Sequence, residues 1–400
     1  MSIGRDRRLL LTGAAVRAAA TSLIGVLLGV HLARLGFGSR EIGWISGLGL
    51  AGVTLAALLV TMGADRWGRR RTLLVLTTTG VAGGAALLLS SSFWLLALAA
   101  FGGMVNAMGR DRGASGILEQ TLIPAVATHE RRTLAFAWLH MARDAGSALG
   151  ALLAGLPTWL EHGFALSPTE ASRGGLALYP LLLAASIPLY ACVSPAVERG
   201  TGTLHSRLSP TSRRIISRLS ILFALDGLGG GLLLTTLVAY FFFERFGVEP
   251  GGLALLFFGV RLANIASYFG AAWLARRIGL VNTMVWTHLP ASLLLIAVAM
   301  VPSLPWAVAL FLARELLVEM DVPTRESYTV AVVGESERLA AAGRTNLVRL
   351  ATWAIGPVAG GVAMRHLGLG APLVIGAGLK ILYDLALWTS FRRLRPPEEH

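Results

Sequence analysis

Residues 131–155, RRTLAFAWLHMARDAGSALGALLAG, and residues 337–361, ERLAAAGRTNLVRLATWAIGPVAGG, align without a gap at an offset of 206. Arg132 falls on Arg338, Ala135 on Ala341, Arg143 on Arg349, Gly150 on Gly356 and Gly155 on Gly361, and just upstream Val126 falls on Val332. Looser echoes set Gly68 over Gly279 and Arg17 over Asp226, at offsets of 211 and 209. The second half reads as a copy of the first. Repetition on this scale in an apolar chain points to a duplicated membrane bundle.

Composition agrees. The 400 residues are 54% hydrophobic and 14% charged, with a mean hydropathy of +0.66, too apolar for an ordinary soluble protein. Apolar runs of roughly 20 residues, the length that crosses a bilayer as a helix, recur near 9–35, 41–63, 71–91, 94–122, 131–158, 174–195, 219–244, 250–275, 280–301, 305–330, 338–364 and 370–391. The fold class expected is therefore an all-α membrane protein, with about twelve transmembrane helices in two pseudo-symmetric six-helix bundles. The first run is a full span with no small-residue cleavage site behind a short apolar core, so no cleavable signal peptide is expected. Cys192 is the only cysteine, which rules out an internal disulfide framework and fits packing.

The net charge of +13 would suit nucleic acid, but the arginines sort by side of the membrane. Arg5, Arg7 and Arg8 precede span one, Arg66 and Arg69 to Arg71 follow span two, and Arg131 and Arg132 follow span four. Arg199, Arg207, Arg213, Arg214 and Arg218 lie between spans six and seven, Arg276 and Arg277 after eight, Arg338 and Arg344 after ten, and Arg392, Arg393 and Arg395 after twelve. The alternate loops hold only scattered cases such as Arg40, Arg173, Arg245 and Arg365. This is the positive-inside asymmetry; it places both termini in the cytoplasm and accounts for the basic balance by anionic lipid, with no nucleic-acid partner. Residues 196–218 form the longest basic polar stretch and read as a cytoplasmic linker between bundles at 1–195 and 219–400, with an amphipathic surface helix conceivable near Arg213 to Leu219.

The loop after span two reads Gly63-Ala64-Asp65-Arg66-Trp67-Gly68-Arg69-Arg70-Arg71. Its Asp-Arg-x-Gly-Arg-Arg pattern resembles the signature loop of the major facilitator superfamily, and Arg276-Arg277-Ile278-Gly279 resembles its second-half echo. Two positions depart from the pattern: Thr61 stands where a glycine is usual, and Arg276 where the second aspartate would be. The resemblance covers nearly the whole chain and implies a gate on the cytoplasmic face, with Asp65, Arg66, Arg69 and Arg70 pairing with carboxylates and helix ends in one conformation and releasing in another. The alternative is that the arginines only anchor topology. Glu119, near the cytoplasmic end of span four, is expected within reach of the Arg66–Arg71 cluster, and Asp321, Arg325 and Glu326 lie at the matching end of span ten. Asp321 and Arg325 are four apart and stand to pair on one helical face, with Pro323 between them threatening that geometry.

Ions at mid-membrane depth are costly and mark function or pairing. Span one carries Arg17, span four Arg110, Asp111 and Arg112, and span five His140, Arg143 and Asp144. Span seven carries Asp226, span eight Arg261, span ten Arg314 and Glu315, and span eleven Asn346 and Arg349. Arg17, Arg112, His140, Arg143, Asp144, Asp226, Glu315 and Arg349 are the candidate substrate and proton-coupling residues; the resemblance implies that most of their helices reach one cavity. Arg17 and Asp226 are pseudo-symmetric and are expected either to lock the halves as a pair or to serve as anion and proton sites. His140 and Asp144, one helical turn apart, either couple protons or satisfy each other. Lys380 and Asp384 in span twelve, peripheral in the implied architecture, read as structural.

Arg112-x-x-Ser115-Gly116 partly resembles the span-four arginine motif of proton-coupled facilitators. The glycine series of span five, Gly146, Gly150 and Gly155, lacks the Gly-Pro step of the antiporter motif; Gly356-Pro357-x-x-Gly360-Gly361 in span eleven has it. Small residues there also permit close packing whatever the direction of transport. No metal-ligand cluster, Gly-x-Ser-x-Gly elbow or phosphate loop occurs, so an enzyme or ATP-driven pump lacks its chemistry and neither cofactor nor metal is expected. The expectation is a monomeric secondary transporter of a bacterial inner membrane, resembling drug/proton antiporters. It would efflux an amphipathic or anionic small molecule against protons or another coupling ion, with membrane lipid as its surroundings. Proton-coupled uptake of an organic anion, or a non-transporting receptor or scramblase on the same fold, are the alternatives.

Overall fold

The computed structural model describes residues 2–123, 132–194, 209–334 and 337–391, apart from the side chains of a few helical residues that include Asp65 and Glu326. Every regular element among them is helical. The first half comprises α1 (Ser2–Arg34), α2 (Ser39–Trp67), α3 (Arg69–Leu89), α4 (Phe93–Gly102), α5 (Ala114–Leu122), α6 (Arg132–Leu153), α7 (Leu156–Phe164) and α8 (Pro168–Ala191). The second comprises α9 (Pro210–Leu232), α10 (Thr235–Phe246), α11 (Pro250–Ile278), α12 (Leu280–Met300), α13 (Leu304–Val318), α14 (Asp321–Ala331), α15 (Arg338–Leu367) and α16 (Ala371–Phe391). Arg213 to Leu219 belong to α9, continuous with span seven, and residues 195–208 lie outside the described set.

Nine stretches among the described residues are long and apolar enough to cross a membrane, α9 and α10 counting as one. Joining α4 to α5, α6 to α7 and α13 to α14 restores the twelve segments expected. Those three joined segments carry the ions Arg110 to Arg112, Arg143 and Asp144, and Arg314 and Glu315, and each is interrupted between its two helices. Broken helices are tolerated at membrane depth where their backbone is buried in protein or lines a cavity. In the 103–113 break the backbone is met by side chains: Asn106 Nδ2 donates to the Arg110 carbonyl at 2.7 Å, and its Oδ1 accepts from the Met108 amide at 3.0 Å. Thr235 Oγ1 donates to the Met108 carbonyl at 2.8 Å.

Turn glycines repeat with the duplication. Gly68 ends α2 at φ +86°, and Gly279 ends α11 at φ +84°, a left-handed conformation that only glycine adopts without strain. The echo between these glycines is therefore a shared loop geometry. Large apolar side chains left exposed, among them Leu89, Trp94, Ile221, Phe269 and Trp306, suit contact with hydrocarbon and its interface.

The chain divides into two compact units, Met1–Thr203 with Leu234–Phe258, and Leu204–Leu233 with Gly259–His400. Within the first, α1 crosses α6 so closely that a Cβ on Gly150 would lie 2.0 Å from the Ala19 carbonyl oxygen. Within the second, α9 crosses α15 in the same way: a Cβ on Gly356 would lie 2.3 Å from the Gly231 Cα. Gly150 and Gly356 are aligned in the repeat, so the glycine pattern of spans five and eleven builds one helix crossing in each half.

Candidate functional site

Each unit buries a network of ions, and each network gathers around its most central helix. In the first, Arg17 projects from α1 at 5% exposure. Its guanidinium pairs with Asp111, from the break before α5, and with Glu119 of α5 at 2.6 Å. Glu119 is fully buried and also accepts from Arg143 Nη2 at 2.8 Å and from the Tyr190 hydroxyl at 2.5 Å. The same Arg143 nitrogen donates to the Gly116 carbonyl at 2.9 Å, and the Tyr190 oxygen accepts from Arg17 Nε at 3.3 Å. Two cations thus face two carboxylates, and α1, α5, α6 and α8 are fastened to one another inside the bundle. Asp111 Oδ2 takes no hydrogen bond from protein and borders a cavity of about 60 Å³ lined by Arg17, Thr21, Asn106, Asp111, Ser115 and Tyr179.

The second network centres on Asp226 of α9, 1% exposed. Lys380 Nζ of α16 donates to Oδ1 at 2.7 Å, Arg349 Nη2 of α15 donates to Oδ2 at 3.0 Å, and Arg325 of α14 lies 3.9 Å from Oδ2. Arg325 in turn pairs with Asp321 one turn earlier. Asp321 Oδ1 stands 3.6 Å from His288 Nε2 of α12, and the other face of that imidazole meets Asp384 of α16, Nδ1 to Oδ1 at 3.2 Å. Pro323 does not disturb the Asp321–Arg325 pair because it falls in the first turn of α14, where a missing N–H leaves no helical bond unmade.

The repeat relates the two networks by position and inverts part of their charge. The offset of 206 that carries Arg143 to Arg349 also carries Glu119 to Arg325. With Arg17 over Asp226, a triad of Arg, Glu and Arg in one unit becomes Asp, Arg and Arg in the other. Spans six and twelve each add a fourth partner, Tyr190 and Lys380.

Several expectations are corrected. Arg17 and Asp226 are each taken up by opposite charges within their own unit. Glu119 is buried against Arg17 and Arg143, and Arg69 and Arg70 reach helix ends. Arg69 Nη1 donates to the Thr121 carbonyl at 3.4 Å, in the last turn of α5, and Arg70 Nη2 donates to the Ala191 carbonyl ending α8, cations on the negative ends of helix dipoles. Arg66 is exposed, and Asp65 has its side chain outside the described residues. Lys380 and Asp384, read as structural, reach Asp226 and His288. His140 is exposed and Asp144 half-buried, Arg112 is half-buried, and Glu315 pairs with its neighbour Arg314 at 3% exposure. His288 went unremarked although an imidazole inside an apolar span is itself a signal; its partners arrive from spans ten and twelve, about thirty and a hundred residues away in the chain.

Comparison with known proteins agrees with the architecture. The sequence profile of the Major Facilitator Superfamily matches residues 10–167. The uncharacterized membrane protein YJR124C of Saccharomyces cerevisiae is 22% identical, over 97% of this chain and 94% of its own length. In three dimensions the chain is similar to a bacterial homolog of the human lysosomal transporter Spinster in its inward-facing, occupied conformation, with TM-score 0.77, 14% identity and 96% of each chain covered. It is also similar to the human organic anion transporter MFSD10 (TETRAN), with TM-score 0.63 and 18% identity over 97% of this chain and 100% of that one. The fold is one that membrane transporters use.

Proposed function

We propose that this chain is a secondary transporter of the major facilitator superfamily that moves a small molecule across a membrane by alternating access and draws its energy from an ion gradient. Protons are the coupling ion in this reading, and efflux of an amphipathic or anionic solute is its direction and cargo. The observation that carries it is the pair of buried ion networks. A bundle that only had to hold together in lipid would be served as well by apolar packing, whereas removing ions from water costs several kcal/mol each. Ions retained at that cost, part of them on segments broken within the membrane, are the parts of a machine whose pairings change during a cycle.

The networks also refine the roles. Asp226, held by Lys380 and Arg349, acts as the anchor of the second unit rather than as a carrier. Arg143 and Arg349 are committed to internal carboxylates, so an anionic cargo competes for them and must displace Glu119 or Asp226 to be gripped. The asymmetry of the arginines supports a cytoplasmic location of both termini in a bacterial inner membrane, and the protein is read as a monomer.

The test is flux in proteoliposomes that enclose a pH-sensitive dye. Organic anions, amphipathic cations and neutral solutes are added in turn, with and without a pH gradient. One class is expected to change lumenal pH in the sense of antiport. A pH change of the opposite sense assigns uptake, and solute movement indifferent to the gradient overturns proton coupling.

A further inference from the structure

We propose that His288 and Asp384 share one exchangeable proton and form the proton-binding site of the second unit. The proposal rests on the transport reading above only for what the proton does, not for where it sits.

Hydrogen-bond arithmetic at the imidazole carries the inference. His288 is 1% exposed and Asp384 fully buried. Nε2 faces the Val318 carbonyl at 3.1 Å, with Asp321 Oδ1 behind it at 3.6 Å, and Nδ1 faces Asp384 Oδ1 at 3.2 Å. A carbonyl and a carboxylate only accept. A neutral imidazole carries one N–H, so either tautomer leaves a bare ring nitrogen pointed at an acceptor in a buried position. One added proton removes the conflict, either as imidazolium beside carboxylate or as imidazole beside carboxylic acid. Binding adds a proton to Nδ1 or to Asp384 Oδ1 from water on the acidic side; no other bond is made or broken.

The surrounding charges leave room for that proton. From α14 come Asp321 and Arg325, already paired, and from α16 Lys380, Asp384 and the phenol of Tyr383. From α9 comes Asp226, and α13 offers the Val318 carbonyl while its Arg314 and Glu315 pair with each other. Asp226, Asp321 and Asp384 balance Arg325, Arg349 and Lys380, so the network is neutral before His288 is counted and gains one positive charge when the proton binds. Asp384 Oδ2 has no hydrogen-bond partner in the protein and is the atom exposed to imbalance when the proton leaves. Pro290 lies inside α12 two residues beyond His288 and supplies no N–H to the helix ladder.

The experiment is infrared titration of the full-length protein in lipid, with ring-labelled histidine, over roughly pH 5 to pH 10, a range that brackets the ordinary histidine value. Wild type is expected to show one buried imidazole whose titration moves together with a carboxyl band, and His288→Gln is expected to lose both. Asp384→Asn tests the pair if that variant fails to fold: the amide N–H can donate to the bare Nδ1, so His288 is expected to stay neutral and its titration to shift to lower pH. A coupled imidazole and carboxyl signal that survives in either variant overturns the proposal. The lumenal dye separates this from the transport reading. Proton movement unchanged in His288→Gln sinks the site and leaves proton coupling standing, whereas the expected titration with no proton movement in wild type sinks the coupling and leaves the site.

Discussion

Glu119 receives donors from three helices, Arg17, Arg143 and Tyr190, and is the single atom group on which the first network depends. Removing its charge as Glu119→Gln leaves two buried guanidinium groups against one carboxylate, a loss expected to cost about 3–5 kcal/mol, as for other buried pairs broken from one side. Tyr190→Phe deletes only a hydroxyl that accepts from Arg17 and donates to Glu119, and is expected to cost about 1–3 kcal/mol. Thermal unfolding of the two variants in one detergent checks the order. Equal melting temperatures would mean that the charge of Glu119 is not what holds the cluster. At this scale the sequence was half legible. Charges inside apolar runs are conspicuous, and Arg17, Asp111, Asp226 and Arg349 stand out on that ground, whereas Glu119 reads only as a gate residue at the end of span four. Tyr190 carries no such mark, and His288 shows no partner in the chain near it, because its partners are adjacent only in space.

Helices are fixed to one another in this protein at crossings and at ends. The crossing at Gly356 leaves no room for a side chain against Gly231, and Gly356→Leu is expected to push α15 from α9 and lower stability by about 1–3 kcal/mol or more. Gly343→Ala, a glycine of the same helix with open space around it, is expected to be tolerated and serves as the control in the same melting measurement. At the helix ends, Glu337 accepts from the Ser209 amide, which stands at the N-cap of α9, and from the Ser212 hydroxyl at 2.5 Å. The Ser212 hydrogen bond, followed by that of the Ser209 amide, lowers the pKa of Glu337 below its ordinary value. A carboxyl depressed in the folded state contributes stability that is complete above its unfolded value, about 4.3, and is lost as pH falls through the lower folded one. Hydrogen exchange at the first turn of α9, corrected for intrinsic rates, should therefore quicken on acidification in wild type and change little in Glu337→Gln. Span positions and the crossing glycines were readable because apolar length and small-residue spacing are local. The breaks at 103–113 and 319–320 were not: Asn106 meets part of the first from inside it, but the Met108 and Val318 carbonyls take their side-chain partners, Thr235 and His288, from other spans.

Over the whole molecule, duplication supplied two copies of one design, and the copies diverged by sign. The repeat itself, the alternation of arginines and the apolar runs are properties of the chain read end to end, which is why the all-helical membrane fold followed from sequence. Who pairs with whom within each unit did not, because the counter-charges of Arg17 and of Asp226 are brought to them by other helices and are not marked by spacing in the chain. The sign inversion makes a direct test of what the positions require. In the first unit Arg17 and Arg143 oppose Asp111 and Glu119, a neutral set. Arg17→Asp alone turns it to a net of minus two, and Glu119→Arg alone to plus two, each a buried imbalance that lipid and protein cannot screen. Made together, the exchanges restore neutrality and reproduce the order found in the second unit, where Asp226 faces Arg325 and Arg349. Either single variant is expected to fail as a monodisperse protein or to melt far below wild type. The double variant should recover part of the loss, with an interaction energy of about 0.5–3 kcal/mol in a double-mutant cycle. A double variant no better than the sum of the singles would mean that the triad needs its signs as well as its neutrality, and that the two halves are no longer interchangeable at this depth.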